Sequence, residues 1–510
     1  MTNPFKRRWF RVSAWFLISI LALVALLWLS VNWGGASALR ATEAKFKAAG
    51  ESTDLIEALP DPVPDERNFC AIPILKDIAL VVDGDRAKGE PALKRKRLKD
   101  LAFWREDRSR PLGKRQPQLP GVERTGALCD LTPWRDLLTR LRPEVSLSEN
   151  PARTVLDCLS VQDATVAELA AGLDRPEAQW TPALKTRVAG KGPLQDSVSH
   201  LLAVKSAAGA LALRSTAAAR CGEVGKAHES IRILIRIGEA SAEENLIGML
   251  VACANRQNLA FTVCELCDAR AGTVEDFERL EVELSNLDLR AVTLEAWRAE
   301  VATMMLAWQQ LKRGEMPWTE DTNSAASAKM RLMPDGFFDG SAANFGEVVL
   351  DRVILPLRDQ GWSAALAATE QYRNQAGHSN ALSRMCRDLN PLTEMGNTTL
   401  LTLRMLDKAA YAQCLIDQAV IACVLEQHRI KNGGYPETLA GVTLSSGKPL
   451  PVDLVSGKPM GYQKTPDGKY KLWGVGLDRK DDGGERIEAR VGPTGEGAKG
   501  DWVWTFSPDK

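Results

Sequence analysis

Apolar and polar positions along this chain fall into three regimes. From Val12 to Val31 (VSAWFLISILALVALLWLSV) the run is almost wholly apolar, and no charged residue occurs between Arg11 and Arg40. Such a run spans about 30 Å as a helix, the thickness of a bilayer's hydrocarbon core, and predicts a transmembrane anchor over residues 12–33. From about 195 to 314 apolar residues recur at helical spacing, beginning with Val198, Leu201, Leu202, Ala208, Leu211 and Ala212. Ser241-Ala-Glu-Glu244 reads as a capping box opening a helix on which Leu246, Leu250, Cys253, Ala260, Cys264 and Cys267 share one face. Thr273-Val-Glu-Asp276 caps the next, which buries Phe277, Leu280, Leu284 and Leu287. A further helix presents Leu294, Trp297, Val301, Met304, Trp308 and Leu311 and stops at Gly314. Ile231–Ile237 alternates like a strand, but its helical neighbours argue for a helix. A long helix is expected from about Thr398 to Lys431, ended by Gly433, Gly434 and Pro436.

The third regime follows, with short alternating segments between Gly, Pro and Asp turns. Met460 and Tyr462 are expected to pair with Tyr470 and Leu472 across the Pro466-Asp467-Gly468 turn. Trp502, Trp504 and Phe506 fall on one face of a last strand. The fold class expected is mainly α: an N-terminal transmembrane helix, a helical-repeat-like or bundle body, and a small antiparallel β module at the C-terminus. The pattern divides the chain into a tail (1–11), the anchor (12–33), and a juxtamembrane segment with a Pro-rich and basic linker (34–125). A helical repeat-like region (126–330), a second helical region (331–432) and the β module (433–510) follow.

Charge refines the picture of the anchor. Lys6, Arg7, Arg8 and Arg11 precede the apolar run, and Arg40, Lys45 and Lys47 follow it. Positive flanks stay preferentially in the cytoplasm, which places the N-terminus inside and the body in an extracytoplasmic, periplasmic space at the inner membrane. Ala36-Ser37-Ala38 would suit a signal cleavage site, but the apolar run is longer than a signal peptide's and rich in Trp. Prolines at 60, 62 and 64 forbid a helix and favour an extended, stiff spacer. Between Arg86 and Arg115 twelve basic residues face four acidic ones, a solvated helix face and loop or a patch for anionic lipid. Pro111, Gly113, Pro117, Pro120 and Gly121 then mark a linker. Across the chain 65 basic and 65 acidic residues cancel, so no global field points to nucleic acid. Ten cysteines in 510 residues are too sparse for a disulfide scaffold.

No catalytic residues emerge from the motifs. The histidines at 200, 228, 378 and 428 are isolated, and no nucleophile elbow, Walker loop or dinucleotide fingerprint is present. Cys264-Glu-Leu-Cys267 has redox-motif spacing but sits late on the apolar face of a helix, where buried structural cysteines are expected. Asp478, Asp481, Asp482 and Glu485 place four carboxylates near glycines whose carbonyls can turn inward, the oxygen-rich mixture that calcium takes. The loop does not follow the EF-hand pattern, since Lys480 and Ala489 stand at its third and twelfth positions, and a solvated acidic turn is the other reading.

Two stretches resemble known families. Gly222–Ile237 resembles the second half of a tetratricopeptide repeat, with Ala227 at the small-residue position, although the signature does not recur. Between Glu426 and Glu485 the chain resembles the C-terminal half of the major pseudopilin of type II secretion. Asn432, Gly433, Tyr435 and Pro436 match its helix-ending turn; Asp453, Gly457, Pro459 and Tyr462 match its second segment. Gly474, Gly476, Asp478, Asp482, Gly483 and Gly484 match its loop, which implies calcium there as the one cofactor. The pilin processing site is missing at the N-terminus, so assembly into a fibre is not implied. The layout as a whole is similar to bacterial membrane-anchored proteins to which no activity is assigned. The function expected is a membrane-anchored extracytoplasmic scaffold with a protein partner and no catalytic activity. An extracytoplasmic hydrolase assembled from distant residues, or an accessory part of a secretion apparatus, are the alternatives.

Overall fold

The apolar run folds as part of one unbroken helix, α1 (Pro4–Ala48). The computed structural model describes residues 4–80, 90–106, 117, 119, 128–180, 199–242, 245–315, 333–377, 393–485, 493–495 and 497–505. Leu17, Leu21, Leu26 and Leu29 are all exposed on α1, and none of its most apolar stretch is buried. Past Val31 the same helix enters the body: Gly35, Thr42 and Phe46 are buried, and Leu39 and Ala49 pack on the core. This 3–4 spacing makes the end of α1 an amphipathic stripe that faces the body.

A short α2 (Leu55–Ala58) is capped by Asp54. The proline segment after it is extended as expected, but it is stitched to the body. Val63 N–H donates to Gln179 Oε1 (2.9 Å), and Gln179 Nε2 donates to Asp61 O (3.3 Å). Helices α3 (Glu90–Asp100), α4 (Thr132–Leu141), α5 (Pro151–Leu159) and α6 (Asp163–Ala170) follow. The three mutually packed helices α7 (Ser199–Arg220), α8 (Val224–Ala240) and α9 (Leu246–Asp268) form the middle of the body. The alternating Ile231–Ile237 segment lies in α8 and is helical; Ile231, Ile233, Leu234, Ile235 and Ile237 are all buried, so the helix is covered on more than one face. The cap of α9 is Asn245, whose Oδ1 accepts from Gly248 N–H (2.7 Å), rather than Ser241. Thr273 and Asp276 form the expected capping box of α10 (Val274–Ser285). Helix α11 (Leu289–Arg313) stops at Gly314, whose φ of +69° is the left-handed conformation that glycine adopts freely.

Helix α12 (Asp335–Val349) passes through a π turn at Leu350–Ile354 into α13 (Leu355–Asp359). The cause of the π turn is Pro356, which has no N–H to donate and crowds the preceding turn. After α14 (Trp362–Gly377), the long helix α15 (Thr393–Asn432) runs through the centre of the molecule. It is long and apolar enough to cross a membrane, yet 89% of its most apolar stretch is buried inside the protein, which makes it a core helix. The chain closes on an antiparallel sheet in the order β1 (Gly461–Lys464), β2 (Tyr470–Gly474), β3 (Trp502–Thr505). Tyr462 pairs with Leu472 and Lys464 with Tyr470, while Met460 precedes β1. Trp502 and Trp504 share a face as expected, and Val503 on the opposite face is buried as well. The fold is therefore mainly α with a small C-terminal sheet, and one hydrophobic core extends from Phe46 through α15 to Trp504. The expectations placed on Glu244, Gly113, Gly121, His378 and Phe506 lie outside the described residues.

Candidate functional site

The acidic loop follows β2 and folds back over it. Asp478 accepts hydrogen bonds from Lys480 N–H (3.3 Å) and Gly500 N–H (3.4 Å). Asp481 Oδ1 accepts from the indole of Trp473 (2.9 Å) and from Gly483 N–H (3.0 Å). The Trp473 ring lies so close over Gly461 and Gly484 that a Cβ on Gly461 would meet it at 2.1 Å. Asp481 thus serves to orient a packed tryptophan. Glu485 is exposed, and its main-chain oxygen accepts from Asp501 N–H (3.1 Å). Asp482 is joined to a residue that the sequence pattern did not single out. Asp501, buried just before β3, accepts through Oδ2 from Asp482 N–H (3.0 Å) and Gly484 N–H (2.7 Å). Asp482 Oδ2 and Asp501 Oδ1 are buried and accept no hydrogen bond from the described residues. Burial, with Asp481 and Asp482 nearby, pushes the Asp501 carboxyl above the ordinary range. Among the described residues, no three His, Cys, Asp or Glu side chains are gathered so as to hold a metal ion.

A second polar cluster locks the β module to the helices. Glu281 on α10 is buried among apolar neighbours, and its carboxylate accepts from Ser445 N–H (3.0 Å), the Ser445 hydroxyl and Gln427 Nε2 (2.9 Å). On α15 the fully buried Glu426 accepts from the Tyr435 hydroxyl and from Arg429 (2.7 Å). Tyr435 stands edge-on to Tyr470 at 4.8 Å, and the Tyr462 hydroxyl donates to Pro436 O (2.6 Å). The Tyr435-Pro436 turn is thus a clasp between α15 and the sheet. Asp453 plays a local part by accepting from Ser456 N–H (2.9 Å). Glu281 and Glu426 escaped sequence reasoning, although a lone carboxylate inside an apolar stripe is a readable signal that a buried partner awaits.

The Cys264/Cys267 pair faces the same seam and is buried. Burial and the neighbouring Glu426 push the Cys267 thiol well up, and burial pushes Cys253 up to about 12, which is the opposite of an activated thiolate. His228 Nε2 lies 3.2 Å from Ala271 O, and burial lowers its basicity. His428 Nδ1 lies 2.9 Å from Gly434 O, and buried His200 stands edge-on to Trp180. These three rings are built into separate parts of the fold.

A surface groove of about 370 Å³ lies between α3, the turn after it, and the α5–α6 junction. Leu101 and Phe103 form its apolar floor; Arg97, Arg142, Asp100, Val161, Gln162 and Thr165 complete the lining. Gln162 is buried and donates to Leu101 O, which holds the floor in place. Arg97 pairs with Glu168, both half exposed, and Arg142 pairs with Glu144. This groove offers two guanidinium groups beside an apolar surface; the sequence signalled it only as the basic run in α3. No family model matches the chain, and no curated protein or solved structure matches it.

Proposed function

We propose that the chain is a membrane-anchored scaffold whose body, on the extracytoplasmic side, binds an acidic and partly apolar segment of a partner protein in the Arg97/Arg142 groove. The observation that carries this reading is the placement of both guanidinium groups beside the Leu101–Phe103 floor. Each already has a carboxylate neighbour, but Glu168 and Glu144 are themselves solvent-exposed and surface ion pairs are worth only about 0–1 kcal/mol, so a partner's carboxylates can take over from them. Arg presents a fork that matches a carboxylate, and the floor takes an adjacent apolar side chain. Leu-containing peptides rich in Glu and Asp should bind the detergent-solubilised full chain and lose affinity as salt rises. Arg97→Glu and Arg142→Glu should each weaken binding about tenfold or more, the cost of meeting a like charge. Binding that ignores both substitutions, or no binding, overturns this reading. A photo-crosslinker at exposed Val161, used in intact membranes, then identifies the natural partner.

Calcium at the acidic loop is a second reading, supported by the buried, unpartnered oxygens of Asp482 and Asp501. Two carboxylates fall short of the six to eight oxygens that calcium takes, so carbonyls of the glycine-rich loop must supply the rest. A cation held by the folded form alone raises the melting temperature as its concentration rises. Millimolar calcium should do so for the full chain, magnesium should do less, and Asp501→Asn should abolish the shift. Equal melting in calcium and in chelator removes the metal.

A further inference from the structure

We infer that the body is seated directly on the bilayer, with the first turn of α12 and the last turn of α11 lying in the lipid headgroup layer. This rests on the reading of residues 12–33 as the membrane-crossing part of α1. The apolar run ends at Val31, and body contact begins at that residue. A Cβ placed on Gly336 would meet Val31 O at 2.0 Å, and one on Gly35 would meet Gly336 O at 2.1 Å, so the two backbones touch. Asn32, the first amide after the apolar run, accepts through Oδ1 from Gly336 N–H (2.9 Å).

Higher up, Thr42 reaches Ala343 O (3.5 Å) and Lys45 pairs with Asp351 (2.6 Å), so α12 runs parallel to α1 with its N-terminus toward the membrane. Helix α11 runs the other way beside it: Arg298 pairs with Glu51 just past the top of α1 (2.7 Å), Met305 lies against Gly346, Trp308 meets Phe338, and Lys312 pairs with Asp339 (2.8 Å). Its basic last turn therefore lies at the same level. The headgroup layer on each side of the hydrocarbon is roughly 5–7 Å thick, and residues 32–35 rise about 6 Å along α1. Whatever touches those residues shares that layer. Trp33, 73% exposed, suits the interface, and the Arg313 side chain, 61% exposed, can reach lipid phosphate. No spacer intervenes, because α1 is unbroken and the proline segment is bonded to the body.

The test uses the full chain in lipid nanodiscs. Azidophenylalanine replaces Leu21, Arg313, Asp335 or Val452, one at a time, and carries a fluorophore; all four positions are exposed. The Val452 position reports a level well above the first turn of α12, since nearby Val455 O accepts from Ser363, beyond the π turn and α13. Nitroxides on lipid headgroups should quench positions 313 and 335 several-fold more than 452, and nitroxides deep in the acyl chains should quench 21. If 21 is quenched while 313 and 335 are as weak as 452, the body stands off the surface and the inference falls. If 452 is quenched as strongly as 335, the body lies on its side, and the inference falls equally. Absence of quenching at 21 removes the anchor itself, and the seat with it.

Discussion

Glu300 and Asp417 are half-buried carboxyls that burial pushes up to about 7, against ordinary values of 4.5 and 3.8. Between those limits the folded chain holds protons that the unfolded chain has released. Their stabilising contribution is therefore complete below the ordinary values and is lost as pH rises through about 7, with a slope of up to about 1.4 kcal/mol per pH unit for each group. The midpoint of urea unfolding should fall from about pH 5 to about pH 7, and Glu300→Gln and Asp417→Asn should each flatten part of that fall. A profile unchanged by both substitutions means that the two groups are ionised in the folded chain. Glu281 answers to a different physics, since its carboxylate ties three donors together. Glu281→Ala takes the acceptor from the buried Gln427 amide and from Ser445 N–H, while the Ser445 hydroxyl keeps Gln427 Oε1 (3.1 Å), at a cost of about 1–3 kcal/mol. Proteolysis near Ser445 should accelerate in this variant, and equal cleavage rates contradict the clasp.

At the scale of elements, the contact between α1 and α12 makes a sharp comparison possible. Gly336→Ala forces a methyl into Val31 O and should separate the helices, costing about 1–3 kcal/mol or more. Gly340→Ala, whose Cβ would sit 3.9 Å from Gly35, should be tolerated and gain the helix preference of alanine. Equal melting of the two variants would dismiss the close approach. Pro334-Asp-Gly336 and Asp339-Gly340 read locally as turns, yet both glycines lie in α12, because what they pack on is about three hundred residues away, as the Asn32–Gly336 bond is. Local signals were legible. The Thr273–Asp276 box and the Gly314 stop act within one turn, so the sequence carries them whole. Asn245 was hidden by the equally good signature of Ser241 one turn earlier. The Arg97/Arg142 groove joins residues from three separate segments, and only the basic half of it leaves a local trace.

For the whole molecule, topology is the first quantity to measure. With the N-terminus inside, protease added after permeabilising the outer barrier should remove most of the chain and leave a short membrane fragment. Full protection until the inner membrane is lysed reverses the orientation, and a soluble mature form beginning near Leu39 establishes cleavage. Helix α1 carries a mechanical consequence as well. It has no joint between its apolar run and the core, so with that run in a bilayer the helix and the body turn as one lever. A bilayer thinner than the apolar run is met by tilting the helix, and about 10° of added tilt swings a point 30 Å up the body by roughly 5 Å. Bilayer thickness thus sets the pose in which the groove meets whatever shares its compartment.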